Sequence, residues 1–230
     1  MTDKAQDDIG SSGKSVALEA RETAEDGRRY SPSAARNKDV LADVIAANMP
    51  VAGHILEIAS GTGEHGAHFV SRFPSLQWSY TDLDEMSLAS QRAWARLAEG
   101  AERLHGPLKV DASQDHWGEA ENPSTYDGLF CANMIHIAPF AAARGLLTGA
   151  GRLLRTGGRL MLYGPFAREG QIAPSNARFS EDLQRRDPDW GVRDLDLDIV
   201  PIAEAASLCL FDVIEMPANN LSVIFEKIKK

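Results

Sequence analysis

From His54 onward, short apolar runs alternate with stretches in which apolar residues return every three or four positions. The runs HILEIA (54–59), LQWSYT (76–81), PLKVDA (107–112), YDGLFCA (126–132), GRLMLYG (158–164), LCLFDVIEM (208–216) and LSVIFEKI (221–228) read as seven strands. The helical spacing between them predicts helices over 65–72, 85–98 and 141–154, the last stopped by the glycines of RTGG (155–158). Ahead of the first strand, Val40, Leu41, Val44 and Ile45 predict a helix over 38–48, ended by NMPVAG. This order predicts an α/β protein with a Rossmann-like, doubly wound, seven-stranded, mostly parallel sheet and right-handed crossovers. Only PANN (217–220) separates the last two runs, too little for a crossover helix. They are therefore expected to pair antiparallel, with an antiparallel C-terminal edge strand.

Two segments break the pattern. Residues 1–27 are polar and poor in aromatics, a composition that cannot offset its ordering entropy, and predict a flexible tail. Residues 165–200 exceed an ordinary strand-to-helix link and mix Arg, Trp, Phe and Pro, which predicts a partly helical, lid-like insertion. It begins at the carboxyl end of a strand, where open sheets of this kind bind their ligands. The rest, 28–230, reads as a single domain.

Composition narrows the function. A chain of 230 residues that is 43% hydrophobic can bury one sizeable core. A net charge of −9 disfavours a nucleic-acid surface, which needs a basic face. The start, MTDKAQDDIGSSGKS, has no apolar core of a signal sequence, and no apolar run approaches the ~20 residues that span a bilayer. A cytoplasmic protein with no membrane partner is expected. Cys131 and Cys209 each sit within an apolar run and are expected as buried thiols rather than a disulfide or metal site.

The chemistry concentrates in EIASGTGEHG (57–66). Gly61, Gly63 and Gly66 form a literal G-x-G-x-x-G after a strand and before a helix, which suits a nucleotide-like ligand without naming it. No Gly-Lys-Ser/Thr follows, so a Walker A loop is excluded. Glu57 discriminates further. A carboxylate inside an apolar strand needs a cationic or donor partner. The phosphates of NAD would repel it, whereas S-adenosylmethionine brings an ammonium and a sulfonium. Asp82 closes the second strand about 20 residues on, where a carboxylate accepts from ribose hydroxyls. Asp111 closes the third, placed for an adenine amino group. Asp84 reads as the N-cap of the next helix. Singly, Glu57 could be an ion-pair partner and Asp82 or Asp111 a cap; together they favour S-adenosylmethionine as cofactor. Ala59, Thr62, Leu83, Ala112 and Asn133, beside these groups, complete the expected cofactor site, and no metal is expected.

SPSAARN (31–37), LEIASGTGEHGAHF (56–69), ANMIHIAPF (132–140), LYGPF (162–166), PSNARF (174–179), DPDWGVRDL (187–195) and MPANN (216–220) together resemble the class I S-adenosylmethionine-dependent methyltransferases. Within these, the chain resembles the methyltransferase-like family catalogued as domain of unknown function 938, from about Tyr30 to the C-terminus. The resemblance implies a seven-stranded methyltransferase sheet with Glu57, Gly61, Gly63, Asp82 and Asp111 in cofactor roles. Ala35 departs from an expected Glu, and Glu64 from a usual Gln.

Methyl transfer from a sulfonium is an in-line displacement whose main need is alignment, worth ~7–11 kcal/mol. A base is needed only for a protonated acceptor. His136, after the fourth strand, is the candidate base or else a packed histidine between Ile135 and Ile137. CANMIHIAPF lacks the Asp/Asn-Pro-Pro-aromatic pattern used on nucleobase or glutamine amides. Tyr163 is the second candidate catalytic group. Tyr30, Arg36, Asn37, Asn176, Arg193 and Asn220 are candidates for the acceptor side, with Arg36 suited to a carboxylate or phosphate. Turn chemistry explains Asn219 and Asn220 equally well. His65 and His68 form an H-x-x-H pair with no third ligand in view, so packing or a cofactor contact is expected of them. The expected function is methylation of a small-molecule O, N or S acceptor, an anionic one if Arg36 recognises it. The alternative is a non-catalytic protein that binds an S-adenosyl ligand on the same fold.

Overall fold

The structure, a computed structural model, describes residues 21–229 apart from Pro123. Most of the predicted tail lies outside the described residues. Within its last part, β1 (Glu22–Thr23) pairs antiparallel with β2 (Arg29–Tyr30) in a small hairpin. Helix α1 (Pro32–Asn48) starts six residues earlier than the apolar spacing alone indicates. The reason is Pro32 in its first turn, where proline's fixed φ suits a helix start and its missing N–H is not needed.

The chain then alternates as expected: β3 (Ala52–Glu57), α2 (Glu64–Arg72), β4 (Ser75–Asp82), α3 (Glu85–Leu97), β5 (Leu104–Lys109), β6 (Tyr126–Ala132), α4 (Phe140–Leu153) and β7 (Leu154–Ala167). The segment after β7 holds α5 (Pro174–Arg186), the two-residue β8 (Arg193–Asp194) paired with β7, and α6 (Val200–Ala205). Strands β9 (Leu208–Met216) and β10 (Asn220–Lys227) finish the described fold. The sheet order is β5-β4-β3-β6-β7-β10-β9. The five strands β5, β4, β3, β6 and β7 are mutually parallel, while β10 runs antiparallel to both β7 and β9. The antiparallel pair thus forms one side of the sheet, with β10 inside and β9 at the edge.

Side chains of a strand alternate between faces, and the core divides accordingly. Leu56, Ile58, Leu160, Leu162, Val223 and Phe225 pack against α4 and α6. Ile55, Met161, Tyr163 and Ile224 pack with Leu41 and Ile45 of α1 and Phe69 and Val70 of α2. Glu57 falls on this second face, among aromatic rings. Cys131 is buried, but Cys209 is exposed because β9 is the edge strand and one of its faces meets solvent. Among the described residues no helix is long and apolar enough to cross a membrane.

Candidate active site

The carboxyl ends of the five parallel strands bring the glycine loop, Asp82, Asp111, Asn133 and Tyr163 to one rim of the sheet. The loop after β3 is shaped by left-handed backbone at Ala59, Gly61 and Gly63, with φ of 58°, 58° and 90°. Its carbonyls are fastened from behind: Gln91 Nε2 donates to Gly61 O at 3.0 Å, Ser90 Oγ to Thr62 O at 2.7 Å and Tyr80 Oη to Gly63 O at 2.7 Å. Gly66 lies within α2, pressed on Trp78 and Tyr80, so it serves packing while Gly61 and Gly63 make the loop.

Asp82, the last residue of β4, joins the loop to α3. Its Oδ2 accepts from Gly61 N at 2.8 Å, and its Oδ1 from Leu83 N at 2.8 Å and Asp84 N at 3.0 Å. Burial raises its carboxyl above the ordinary range, and the three backbone donors oppose that rise. Leu83 is 54% exposed beside it, an apolar platform at the rim. Asp84 caps α3 by accepting from Ser87 N at 2.8 Å. Strand β5 ends at Lys109, two residues before Asp111, which lies in the following turn and accepts from Ser113 N and Oγ at 2.9 and 2.7 Å. Ala112 is buried beneath α4, where Gly145 lets the helix approach its carbonyl.

Glu57 is 1% exposed. Trp78 Nε1 donates to its Oε2 at 2.9 Å, and His65 Nδ1 faces its Oε1 at 3.7 Å. The donor that its apolar strand demanded is therefore supplied largely from within the fold, and Glu57 underlies the loop rather than opening onto the rim. His65 also meets Asn37 Oδ1 through Nε2 at 2.8 Å, whereas His68 turns away to Asp39 at 3.2 Å. Glu64 is buried and accepts from Ser31 N and from Thr62 Oγ1, so the acid at this position ties the start of α1 to the loop.

The predicted acceptor-side residues separate into groups. The buried Asn37 and the exposed Arg36, neighbours on α1, both act on the Tyr163 phenol. Burial pushes the Tyr163 phenol up, and Asn37 and Arg36 pull it back. Asn133, in left-handed backbone at φ 62°, donates its N–H to Tyr163 O at 2.7 Å. Behind Gly164 lies His136, 1% exposed, with Phe166 edge-on at 5.0 Å and neither ring nitrogen partnered. Burial, helped by the nearby Arg193 charge, depresses its imidazole to about 3. Arg193 donates to the carbonyls of Ile135, Ala138 and Asp189 and so braces the loop that carries His136. Asn176 Nδ2 donates to Asn219 O at 2.9 Å and Asn220 Nδ2 to Pro217 O at 2.9 Å, so both fasten the β9–β10 turn. Tyr30 packs edge-on against Trp94 of α3 at 5.3 Å.

Arg21 was not singled out by the sequence, since its neighbours have the composition of a tail. Its guanidinium stands over Gly61, where a Cβ would meet only Arg21 Nη2 at 3.8 Å, and it feels the charges of Asp82, Asp84 and Glu64. Gln91 was also missed as a site-building residue, because its partner Gly61 lies 30 residues away in sequence.

A family model described as "Protein of unknown function (DUF938)" matches residues 28–227. The chain belongs to this family. The chain is 35% identical over 111 residues to the ribosomal RNA small subunit methyltransferase C of Ectopseudomonas mendocina, a stretch that is 48% of this chain and 31% of that protein. An O-methyltransferase family protein from Burkholderia thailandensis superposes with a TM-score of 0.71 at 17% identity, over 86% of this chain and 58% of that one. An O-methyltransferase family 2 protein from Planctomyces limnophilus, solved in complex with apigenin, gives 0.68 at 19% identity, over 85% and 60%. This DUF938 chain therefore has the class I methyltransferase fold, and it spans about a third of the curated relative and three fifths of those solved chains.

The rim fits S-adenosylmethionine. It offers two carboxylates for hydroxyl and amino donors, an exposed leucine for a base, and at Gly61 a face that, among the described residues, only the Arg21 side chain approaches.

Proposed function

We propose that the protein is an S-adenosylmethionine-dependent methyltransferase that acts on a small-molecule O, N or S acceptor bearing an anionic group. The observation that carries this reading is Asp82: a carboxylate at the end of β4, bonded to Gly61 N and flanked by the exposed Leu83. That arrangement suits a ribose diol with an adenine lying on the leucine.

Asp82 would hold the ribose and Asp111, with Leu83 and Ala112, the adenine. The turn of Ala59, Gly61, Thr62 and Gly63 would enclose the methionine end, with Asn133 opposite and the Glu57 carboxylate beneath as counter-charge. When bound, S-adenosylmethionine supplies an electrophilic methyl on a sulfonium. The chain's own part is alignment. Arg36, exposed on α1 beside Tyr163, supplies a cation for an anionic acceptor, and the Tyr163 hydroxyl orients it. His136 is neutral at physiological pH, but an imidazole buried and depressed to about 3 is too weak a base for a hydroxyl acceptor, so the reading rests on alignment rather than on deprotonation by His136. The net charge of −9 favours a small acceptor in the cytoplasm over a polyanion.

Two measurements test this. Calorimetry should register binding of S-adenosylhomocysteine and none of NAD; the reverse result rejects the cofactor. A metabolite pool should release S-adenosylhomocysteine with a methylated small product found by mass. Methyl incorporation into ribosomal RNA alone, the acceptor class named for the curated relative, would reject the small-molecule acceptor.

A further inference from the structure

Residues 21–31, most of which composition assigns to a tail, are fastened beside the glycine loop. Strands β1 and β2 are two residues each, too short to hold a hairpin together alone, and α3 supplies the rest. Arg29 N donates to Ser90 Oγ at 2.9 Å, and Trp94 Nε1 donates to Arg29 O at 3.2 Å. Ser90 Oγ in turn donates to Thr62 O of the loop at 2.7 Å. Glu64 repeats the arrangement: its Oε2 accepts from Ser31 N and, at 3.2 Å, from Thr62 Oγ1. Ser90 and Glu64 therefore each grip the hairpin segment on one side and the loop on the other, and the two are held as one unit.

The hairpin carries Arg21 to this loop. Glu22 is in register with Tyr30, which packs on Trp94, and Arg21 precedes Glu22 directly. Its Nη2 lies 3.8 Å from where a Cβ of Gly61 would stand, and among the described residues no other group outside the turn comes within 4 Å of that point. The guanidinium thus faces the open side of the turn at van der Waals distance. It is half-buried, and burial disfavours its charged form, so a cation here calls for an anion. The nearby carboxylates are engaged elsewhere: Asp82 by Gly61 N, Leu83 N and Asp84 N, Asp84 by Ser87 N, and Glu64 by Ser31 N. A guanidinium offers its donors in a planar fork that matches a carboxylate bidentately. S-adenosylmethionine has one anionic group, the carboxylate of its methionine end, and the proposed site lays that end in the turn of Gly61.

We propose that Arg21 is a cofactor-binding residue: its guanidinium, carried over Gly61 by the β1–β2 hairpin, pairs with the methionine carboxylate of S-adenosylmethionine. This inference rests on the proposed placement of the methionine end in the glycine turn. It makes the hairpin a wall of the cofactor site, and it gives the site a means to select ligands that carry the amino-acid group over those that share only the adenosine and the sulfur.

The test is calorimetry on the full chain with S-adenosylmethionine and with its decarboxylated form, which keeps the ammonium, the sulfonium and the adenosine and lacks only the carboxylate. The parent should prefer the intact cofactor by about 10- to 100-fold, the range of a charged hydrogen bond. Arg21→Gln should lose most of that preference, by weakening the intact cofactor while holding the decarboxylated form within about twofold of the parent. Arg21→Lys keeps the charge without the fork and should recover part of the preference. Where Arg21→Gln does not fold, the parent and Arg21→Lys are compared, and a reduced preference is still expected. A preference that persists in the folded Arg21 variants, or a parallel loss of both ligands, overturns the pairing. A parent that binds neither ligand overturns the cofactor reading beneath it, whereas a parent that binds both equally well overturns the pairing alone.

Discussion

Burial of His136 makes the fold acid-sensitive by a calculable amount. Its imidazole is depressed from 6.5 to about 3, with burial as the main cause. The folded protein keeps this group neutral, while the unfolded chain protonates it below its ordinary pKa. Its contribution to stability is therefore fully present above about pH 6.5 and is lost progressively as pH falls toward about 3. At pH 5 the unfolded chain gains RT ln(1 + 10^1.5), about 2 kcal/mol, and the folded protein gains almost nothing. At pH 8 neither gains appreciably. The depressed His54 and His68 add losses of the same sign, but they are common to the parent and to a single variant at 136. Urea unfolding at pH 8 and pH 5, for the parent and for His136→Gln, isolates the wanted difference. The parent should lose about 2 kcal/mol more than the variant between the two pH values, or about 4–8 °C in melting temperature for a domain of this size. Equal losses in the two proteins, with unchanged urea dependence, would refute the enclosure of His136 and with it the neutral imidazole assigned to the site.

Three further outcomes follow from the geometry. Asp82→Asn turns an amide N–H₂ toward Gly61 N, 2.8 Å from the oxygen it replaces, and removes the charge offered to the ribose. S-adenosylhomocysteine should bind about 10- to 100-fold more weakly by calorimetry, from the ~1.5–3 kcal/mol of a charged hydrogen bond; affinity within twofold of the parent refutes the ribose assignment. Gly164→Ala places a Cβ 2.6 Å from His136 Nε2 at a φ of 155°, and should lower stability by about 1–3 kcal/mol in urea melts, with a neutral result arguing that the β7 segment yields freely. Trp78→Phe leaves Glu57 Oε2 without its donor and should cost about 1–3 kcal/mol or more in the same melts, unless the carboxylate finds water.

Much of the architecture was legible in the pattern of side chains because burial obeys the strand's period of two. Ile55 and Glu57 alternate with Leu56 and Ile58, and the observed core splits along that line. What the pattern did not contain is register. That Glu57 would meet Trp78 depends on β3 pairing with β4 so that Ile55 faces Trp78 and Glu57 faces Tyr80. Periodicity within either strand says nothing of that offset. The glycine loop and Asp82 were readable because both lie at strand ends fixed by chain order. The turn reading of Asn220 was available from asparagine's turn propensity, but the reach of Asn176 from α5 to Asn219 O, 43 residues away, was not. The hairpin of β1 and β2 was hidden for a related reason. Arg29 N donates to Ser90 Oγ, and Trp94 Nε1 donates to Arg29 O, contacts with α3 that span more than 60 residues of sequence. Composition judged that segment by itself.

The sheet order has a bearing on how the protein is made. Strand β9 is hydrogen-bonded to β10 alone, yet it leaves the ribosome first. Until β10 follows, the parallel half of the sheet ends in β7 with a bare row of backbone donors and acceptors beside Leu160, Met161 and Leu162. Such a row can recruit a strand from another nascent chain. Synthesis of the eight-residue β10 is thus the step that covers the exposed row of β7, and chains interrupted before it should be found in aggregates rather than as soluble, partly active fragments.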